Sequence, residues 1–525
     1  MKNPVVEKVI KWVTINRLEA MFLAIILFVA VFLRLYKISE YMTFLGDEGR
    51  DAIVVRRLLT DFDIILVGPG TSIGNMYLGP LYYYLIAPFL FLANFSPVGP
   101  SVMVALLGIV TTYFVWHVSR EWFGKLAAFI AAILYSVSPV VITYSRSSWN
   151  PNIMPFFALL SVYSIWKVWR FDQMKWLLIL GFSFAFALQS HYLALLLVPI
   201  FGLFWLLTIF RLKDKKIQRE KIIKYSLLSL TLFSILMSPL VIFDARHGWR
   251  NVEAIKIFFT ERQATVSARP WTALPKIFSI WSKIETRMLT GFNENLGKFF
   301  ASLSALFVLT YLIPNFKKIK TAFLDPEKDQ FLSSYIFLFV WLFISLIGFG
   351  LYKQEIYDHY YGIIFPAIFI LVGAMVQLFF NRNKFVGSLL TLVFVPTLVV
   401  VNLNNSFLKY PPNKQLQRTE SVARKMVEEA KGREFNLAVI AERNYEGAYQ
   451  YFLEKWNAPF VMIDPQRADK TITDQLFVVC ELPKEKCDPT HDPKAGIANF
   501  GWSKVDSEWE VSGVVLYKLV HYVDL

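Results

Sequence analysis

Residues 17–51 read RLEAMFLAIILFVAVFLRLYKISEYMTFLGDEGRD. An apolar run of about twenty residues, enough to cross a hydrocarbon core of roughly 30 Å, breaks off into Gly46-Asp47-Glu48-Gly49-Arg50-Asp51. The run decides the fold class, because its like recurs along the chain. Ten more lie at about 98–118, 124–143, 153–170, 175–190, 192–210, 225–243, 299–315, 331–351, 361–380 and 385–403. The pattern predicts a mainly α, polytopic membrane protein with about eleven transmembrane helices. Composition agrees: 55% of the 525 residues are hydrophobic and 18% charged, where a soluble domain carries roughly 25% charged residues. Mean hydropathy is +0.45.

One further apolar stretch, 81–95, is short and contains Pro88. Counting lysine and arginine decides how it lies. Put the amino terminus, with Lys2, Lys8, Lys11 and Arg17, in the cytoplasm and allow eleven spans. The cytoplasmic loops then hold Arg120 and Lys125; Lys167, Arg170 and Lys175; six cations from Lys213 to Lys224; Lys317, Lys318 and Lys320; and Arg382 and Lys384. Compact basic loops on one side are what the positive-inside rule requires. A twelfth span at 81–95 would move the later clusters outside, so that stretch is expected to lie along the membrane. The loops account for the net charge of +14, and nucleic-acid binding is set aside. The first run reads as a retained anchor rather than a cleaved signal.

The other side collects the unusual residues. It receives the 46–51 run, followed by Gly68-Pro69-Gly70, Gly74-Asn75-Met76-Tyr77-Leu78-Gly79-Pro80 and Tyr82 to Tyr84. It also receives Ser145 to Asn152 with Trp149 and Asn150; Gln189-Ser190-His191; Asp244-Ala245-Arg246-His247; and Gln354 to Tyr361. Five polar constellations on one face point to a cavity at the outer ends of several spans.

After residue 403 the apolar runs stop. A helix is expected over 415–432, a strand at 435–441, a helix at 445–456, and strands at 460–463, 475–480 and 513–519. The chain divides into 1–403, with a first outer loop at 37–97, and a small α/β domain at 404–525 on the outer side. Cys480 and Cys487 are its only cysteines. A disulfide is allowed outside the cytoplasm, and two free thiols are the alternative. No P-loop, HExxH or CxxC pair occurs.

Each constellation has a chemical and a bland reading. Asp47 or Glu48 could take a proton from an attacking hydroxyl, or the pair could hold a divalent cation such as Mg or Mn. The bland reading is a helix N-cap. Arg50 could fork a phosphate, or pair with Asp51, Asp61 or Asp63. His191, His247 and His359 could contact a phosphate or orient an acid, or be satisfied structural histidines. Asp244 could pair internally with Arg246. Trp149, Tyr77, Tyr82 and Tyr360 could stack on a sugar, or belong to the interfacial aromatic belt.

At Asp47-Glu48-Gly49-Arg50 the chain resembles the GT-C membrane glycosyltransferases, specifically the family 39/83 group of protein mannosyltransferase-like and aminoarabinose transferase-like enzymes. Gly79-Pro80-Leu81-Tyr82-Tyr83-Tyr84 resembles the Pro-aromatic end of that group's first outer loop. Arg120-Glu121-Trp122-Phe123-Gly124, and Tyr360 and Tyr361 with Pro366, also match. The resemblance covers roughly residues 15 to 400.

The resemblance implies sugar transfer from a polyprenyl-phosphate-sugar to an acceptor, which could be protein, lipid or glycan. Asp47 would be the base, with Glu48 beside it. Arg50 would meet the donor phosphate with Tyr77 and Tyr360 or Tyr361. Relatives carry an acid in the second outer loop where Asn150 stands, and a lysine-proline pair where this chain has Gly79-Pro80. The second phosphate cation is therefore sought at His359 or Arg246. Trp149, Asn150, Gln189, His191, Asp244 and His247 are candidates for the sugar and acceptor. The reading is a glycosyltransferase of a prokaryotic cytoplasmic membrane with its active face outside. A transporter of lipid-linked substrates is the alternative from another class, and an envelope polymer ligase or polymerase a third reading.

Overall fold

The computed structural model describes residues 4–71, 76–260, 266–267 and 269–522. Gly74 and Asn75 of the first loop lie outside these. The chain is a polytopic helical membrane protein followed by a small mixed sheet. Among the described residues, eight helices are long and apolar enough to cross a bilayer: Arg17–Leu35, Val98–Trp122, Tyr192–Arg211, Lys216–Arg246, Glu294–Leu324, Gln330–Leu351, Phe365–Arg382 and Lys384–Asn404. Helices also occupy the other three expected positions. Lys125–Val137 and Pro139–Tyr144 are separated at Ser138. Met154–Phe171 and Trp176–Ser190 complete the set. Leu81–Leu92 is a twelve-residue helix, about 18 Å long at 1.5 Å per residue and short of a bilayer core.

Local sequence accounts for where the helices begin. Asn293, Asp329 and Asn383 accept backbone N–H groups of the first turns that follow them, as N-cap side chains do. Pro155 and Pro366 sit in first turns, where a missing N–H removes no helical bond. At one end of the bundle Trp122, Trp166, Trp169, Phe204 and Phe337 interlock, with ring centroids 4.4 to 5.9 Å apart along the chain of contacts. The basic loops at that end are tied by ion pairs. Glu19 meets Arg120 and Lys125, Glu121 meets Lys167, and Asp172 meets Arg211. Lys216–Arg246 buries only Ile222, Ser229 and Asp244, so much of its apolar middle is left open to lipid.

The opposite ends of the same helices receive the acidic run. Gly46–Thr60 is a helix, named here the acidic helix. Arg146 pins the turn before it: its guanidinium donates to the Leu33 and Tyr36 carbonyls at 2.7 Å each and lies over the Phe407 ring.

The C-terminal part has helix Gln415–Ala430, strand β1 Asn436–Ile440, helix Gly447–Lys455 (the docking helix), β2 Gln475–Cys480, β3 Ser503–Val511 and β4 Val514–His521. The sheet order is β1-β2-β4-β3, with β1 and β2 parallel and the other neighbours antiparallel. Two expectations are corrected. Residues 460–463 form no strand and share only the Phe435–Phe460 bridge. Edge strand β3 was not anticipated, because its solvated face of Lys504, Asp506, Glu508 and Glu510 hides the apolar signal. Cys480 and Cys487 are joined in a disulfide.

Candidate functional site

The acidic helix is seated by glycine. A Cβ at Gly46 would fall on the Tyr445 ring, and one at Gly49 on the backbone of Gly447 and Ala448. The acidic and docking helices therefore touch backbone to backbone. Asn444 accepts the Gly46 N–H at 2.9 Å and donates to Glu481, which also accepts from Tyr449. Arg57 pairs with Glu454 at 2.7 Å. Tyr451 and Lys455 both donate to the Phe95 carbonyl.

The two adjacent acids then diverge. Glu48 turns inward and accepts the Leu45 N–H at 3.0 Å, closing the helix N-terminus. Burial pushes its carboxyl up to about 7, with the Asp47 and Asp51 charges adding to the effect. Asp47 faces a cavity of about 250 Å³ together with Arg50. Its Oδ1 accepts from Arg50 Nη1 at 2.8 Å and from the Tyr445 hydroxyl at 2.9 Å. Arg50 also grips Asp51 through Nε and Nη2, at 3.0 and 2.7 Å, and Tyr83 donates to the same Asp51 oxygen. Burial raises Asp51 to about 6, with Arg50 opposing. Of the five N–H groups on a guanidinium, three thus go to carboxylates.

Asp47 and Glu48, weighed above as metal ligands, point in different directions. One points into the cavity beside an arginine, and the other is buried against its own helix start. Among the described residues no group of three histidines, cysteines or acids gathers with a ligand geometry.

The cavity wall comes from two other constellations. Trp149 and His359 pack with ring centroids 4.5 Å apart, His359 and Tyr360 at 4.6 Å, and His191 and Tyr360 at 4.9 Å. His191 Nδ1 accepts the Leu193 N–H, which leaves the proton of a neutral ring on Nε2. Asn150 donates to the Ser190 carbonyl at 2.7 Å and lines the same space. Burial holds His359 down at about 4 against the pull of Asp358 and Asp47. Tyr192 and Tyr357, not singled out in the sequence, complete the aromatic wall.

The remaining candidates lie elsewhere. Tyr77 and Gln189 line a neighbouring, almost wholly apolar cavity of about 160 Å³, with Leu195, Met237, Leu240 and Ile255. Leu78 and Tyr192 belong to both cavities. Gln189 bridges, accepting the Leu81 N–H and donating to the Leu236 carbonyl. Its side chain occupies the place a Cβ at Gly79 would need, so a larger residue there would have to displace Gln189. Asp244 does not reach the cavity and is not paired with Arg246. It caps the next helix by accepting the Asn251 and Val252 N–H groups, and Asn251 accepts the Tyr77 N–H. Arg246, the last residue of its helix, and His247 just after it are exposed and do not line this cavity. Tyr361 is buried behind the wall against Phe349. Asp51, Tyr83 and Tyr445 are the polar residues that the sequence reading missed. Asp51 stood in the quoted run, but nothing local marks Tyr445.

With this geometry in hand, the likenesses to known proteins can be read. Residues 78–242 match the model of the dolichyl-phosphate-mannose-protein mannosyltransferase family. A stretch of 114 residues, 22% of this chain, is 28% identical to YkcB of Bacillus subtilis, a protein named as a mannosyltransferase by inference; the match spans 16% of that protein's length. The fold is that of ArnT from Cupriavidus metallidurans. Its structure bound to undecaprenyl phosphate superposes with a TM-score of 0.55 at 14% identity, over 95% of this chain and 97% of the other. The apo structure gives 0.54 at 12% identity. The architecture is thus of the GT-C type. The chain shares the ArnT fold over nearly its whole length, and within it residues 78–242 match the mannosyltransferase family.

Proposed function

We propose that the protein transfers a sugar from a polyprenyl-phosphate donor to an acceptor hydroxyl at the outer face of a prokaryotic cytoplasmic membrane. The observation that carries this reading is the pairing of two cavities. One is polar and holds Asp47 and Arg50 against an aromatic wall. The other is apolar, adjoins it through Leu78 and Tyr192, and draws Met237 and Leu240 from the lipid-facing helix Lys216–Arg246. Such a pair suits an amphiphile whose tail stays among apolar side chains while its head reaches water. The undecaprenyl phosphate named with ArnT is a ligand of that kind.

In the proposed reaction the acceptor O–H gives its proton to Asp47 as its oxygen attacks the anomeric carbon. The bond from that carbon to the phosphate oxygen breaks, and its electron pair leaves with polyprenyl phosphate. Arg50 and the His359 and His191 N–H groups stabilise the departing phosphate. Preorganised donors of this kind are worth on the order of 3 kcal/mol each where water is excluded. Trp149 and Tyr360 offer faces to the sugar ring. One displacement inverts the anomeric centre, so a product of retained configuration would exclude this route.

The test uses purified protein and a panel of radiolabelled polyprenyl-phosphate sugars, with wild type and Asp47→Asn. Release of sugar by wild type alone is the expected result. Release unaffected by the substitution would remove Asp47 from its role. Tight binding of polyprenyl phosphate without release from any donor would favour a transporter.

A further inference from the structure

We infer that Tyr445, brought in by the C-terminal part of the chain, is a positioning residue for the reaction, holding the Asp47 carboxylate in its working orientation. The inference rests on the reading of Asp47 as the base. Asp47 and Tyr445 are 398 residues apart, yet the Tyr445 hydroxyl donates to Asp47 Oδ1 at 2.9 Å. Arg50 Nη1 donates to that same oxygen at 2.8 Å and reaches the tyrosine hydroxyl at 3.4 Å. The three groups close a ring around one carboxylate oxygen. Among the described residues Oδ2 has no hydrogen-bond partner, and it remains the atom to receive a proton.

Holding the carboxylate by two donors on one oxygen fixes both rotatable bonds of the aspartate. Arg50 alone would not, because it sits on the same helix and is drawn toward Asp51 by two of its N–H groups. Tyr445 supplies the constraint from outside that helix. Its own place is rigid. The ring lies over Gly46, where a side chain would collide with it, and the preceding residue Asn444 is bonded to the Gly46 N–H. Burial, with Asp47 beside it, pushes the pKa of the Tyr445 hydroxyl upward, so the group stays protonated and remains a donor. The C-terminal part, which matched nothing in the sequence reading, thereby reaches the proposed base through Tyr445.

The experiment compares full-length wild type, Tyr445→Phe and Asp47→Asn in the donor-release assay. Tyr445→Phe keeps the ring over Gly46 and is expected to leave the melting midpoint unchanged. It should lower kcat by about 10-fold or more, the usual scale for a lost hydrogen bond to a charged group, while KM for the donor stays the same. A structural contribution alone would move the midpoint or KM instead. Wild-type kcat in Tyr445→Phe, with Asp47→Asn inactive, would overturn the inference and leave Asp47 as the base. Full activity in Asp47→Asn would overturn the base itself, and the inference with it. A second pair guards against a folding defect. Tyr445→Gln, which retains a donor, should be several-fold faster than Tyr445→Leu, and equal rates would overturn the inference.

Discussion

The Asn444 side chain caps the helix that bears Asp47: its Oδ1 accepts the Gly46 N–H at 2.9 Å, joining positions 398 residues apart. First-turn N–H groups have no partner within their own helix, so this bond comes from another part of the chain. Asn444→Ala should lower stability by about 1 kcal/mol, the usual scale for a lost cap. Glu481 would also lose one of its two donors. Thermal unfolding in detergent measures the effect, and an unchanged midpoint would show that water replaces the cap without loss.

Gly49→Ala sets two effects against each other. Helix propensity favours alanine over glycine by about 1 kcal/mol. The added Cβ, however, would fall on the Gly447 and Ala448 backbone, which cannot rotate away as a side chain could. Steric exclusion is expected to win. The melting midpoint should fall, and sugar release with it as the docking helix shifts Tyr445. A raised midpoint would mean that the two helices have room to part.

Glu48 predicts a pH dependence of stability. Its folded-state value of about 7 stands above the ordinary 4.5. Between these values the folded protein keeps a proton that the unfolded chain has released, so stability falls as pH rises through that window. The loss reaches at most about 3 kcal/mol, at 1.36 kcal/mol per pH unit. Glu48→Gln keeps an acceptor for the Leu45 N–H and carries no charge. It should reduce the slope from pH 5 to 8, Asp51 still contributing up to about pH 6, and be the more stable protein at pH 8. Parallel curves for the two proteins would assign the dependence to another group.

His359, held down at about 4, is neutral at pH 7. A phosphate placed in the cavity favours the imidazolium form, as a nearby opposite charge does. Binding of polyprenyl phosphate at pH 6 should therefore take up protons. Calorimetry in two buffers of different ionisation enthalpy would show unequal heats, and His359→Gln should narrow the gap. Equal heats for wild type would remove this histidine from the phosphate site.

Where the sequence reading went astray, one kind of error dominates. Asp244, Arg246 and His247 were joined to the cavity because they share a face of the membrane with it. Being on one face limits position along the membrane normal only. Within the plane they are separated from the cavity, and Asp244 finds a nearer use as a helix cap. Glu48 and Asp47 are adjacent, and the sequence reading favoured Asp47 as the base without placing Glu48. On a helix, neighbours point about 100° from one another, and one of the two had to face the interior. Gly46 and Gly49 read as loop residues in the quoted run. They are helical, and their smallness serves a contact invisible from either segment alone.

The positions of the apolar helices were legible in the sequence itself. Apolar length is a one-dimensional quantity, and a bilayer demands that backbone hydrogen bonds close within each segment. The acids that break those runs marked one end of the bundle for the same reason. Which of them share a cavity, which lie buried, and which residue steadies Asp47 were decided only by tertiary structure. Tyr445 meets Asp47 through the packing of two glycine-lined helices nearly 400 residues apart, and such a contact leaves no periodicity or spacing in either stretch by which it could be foreseen.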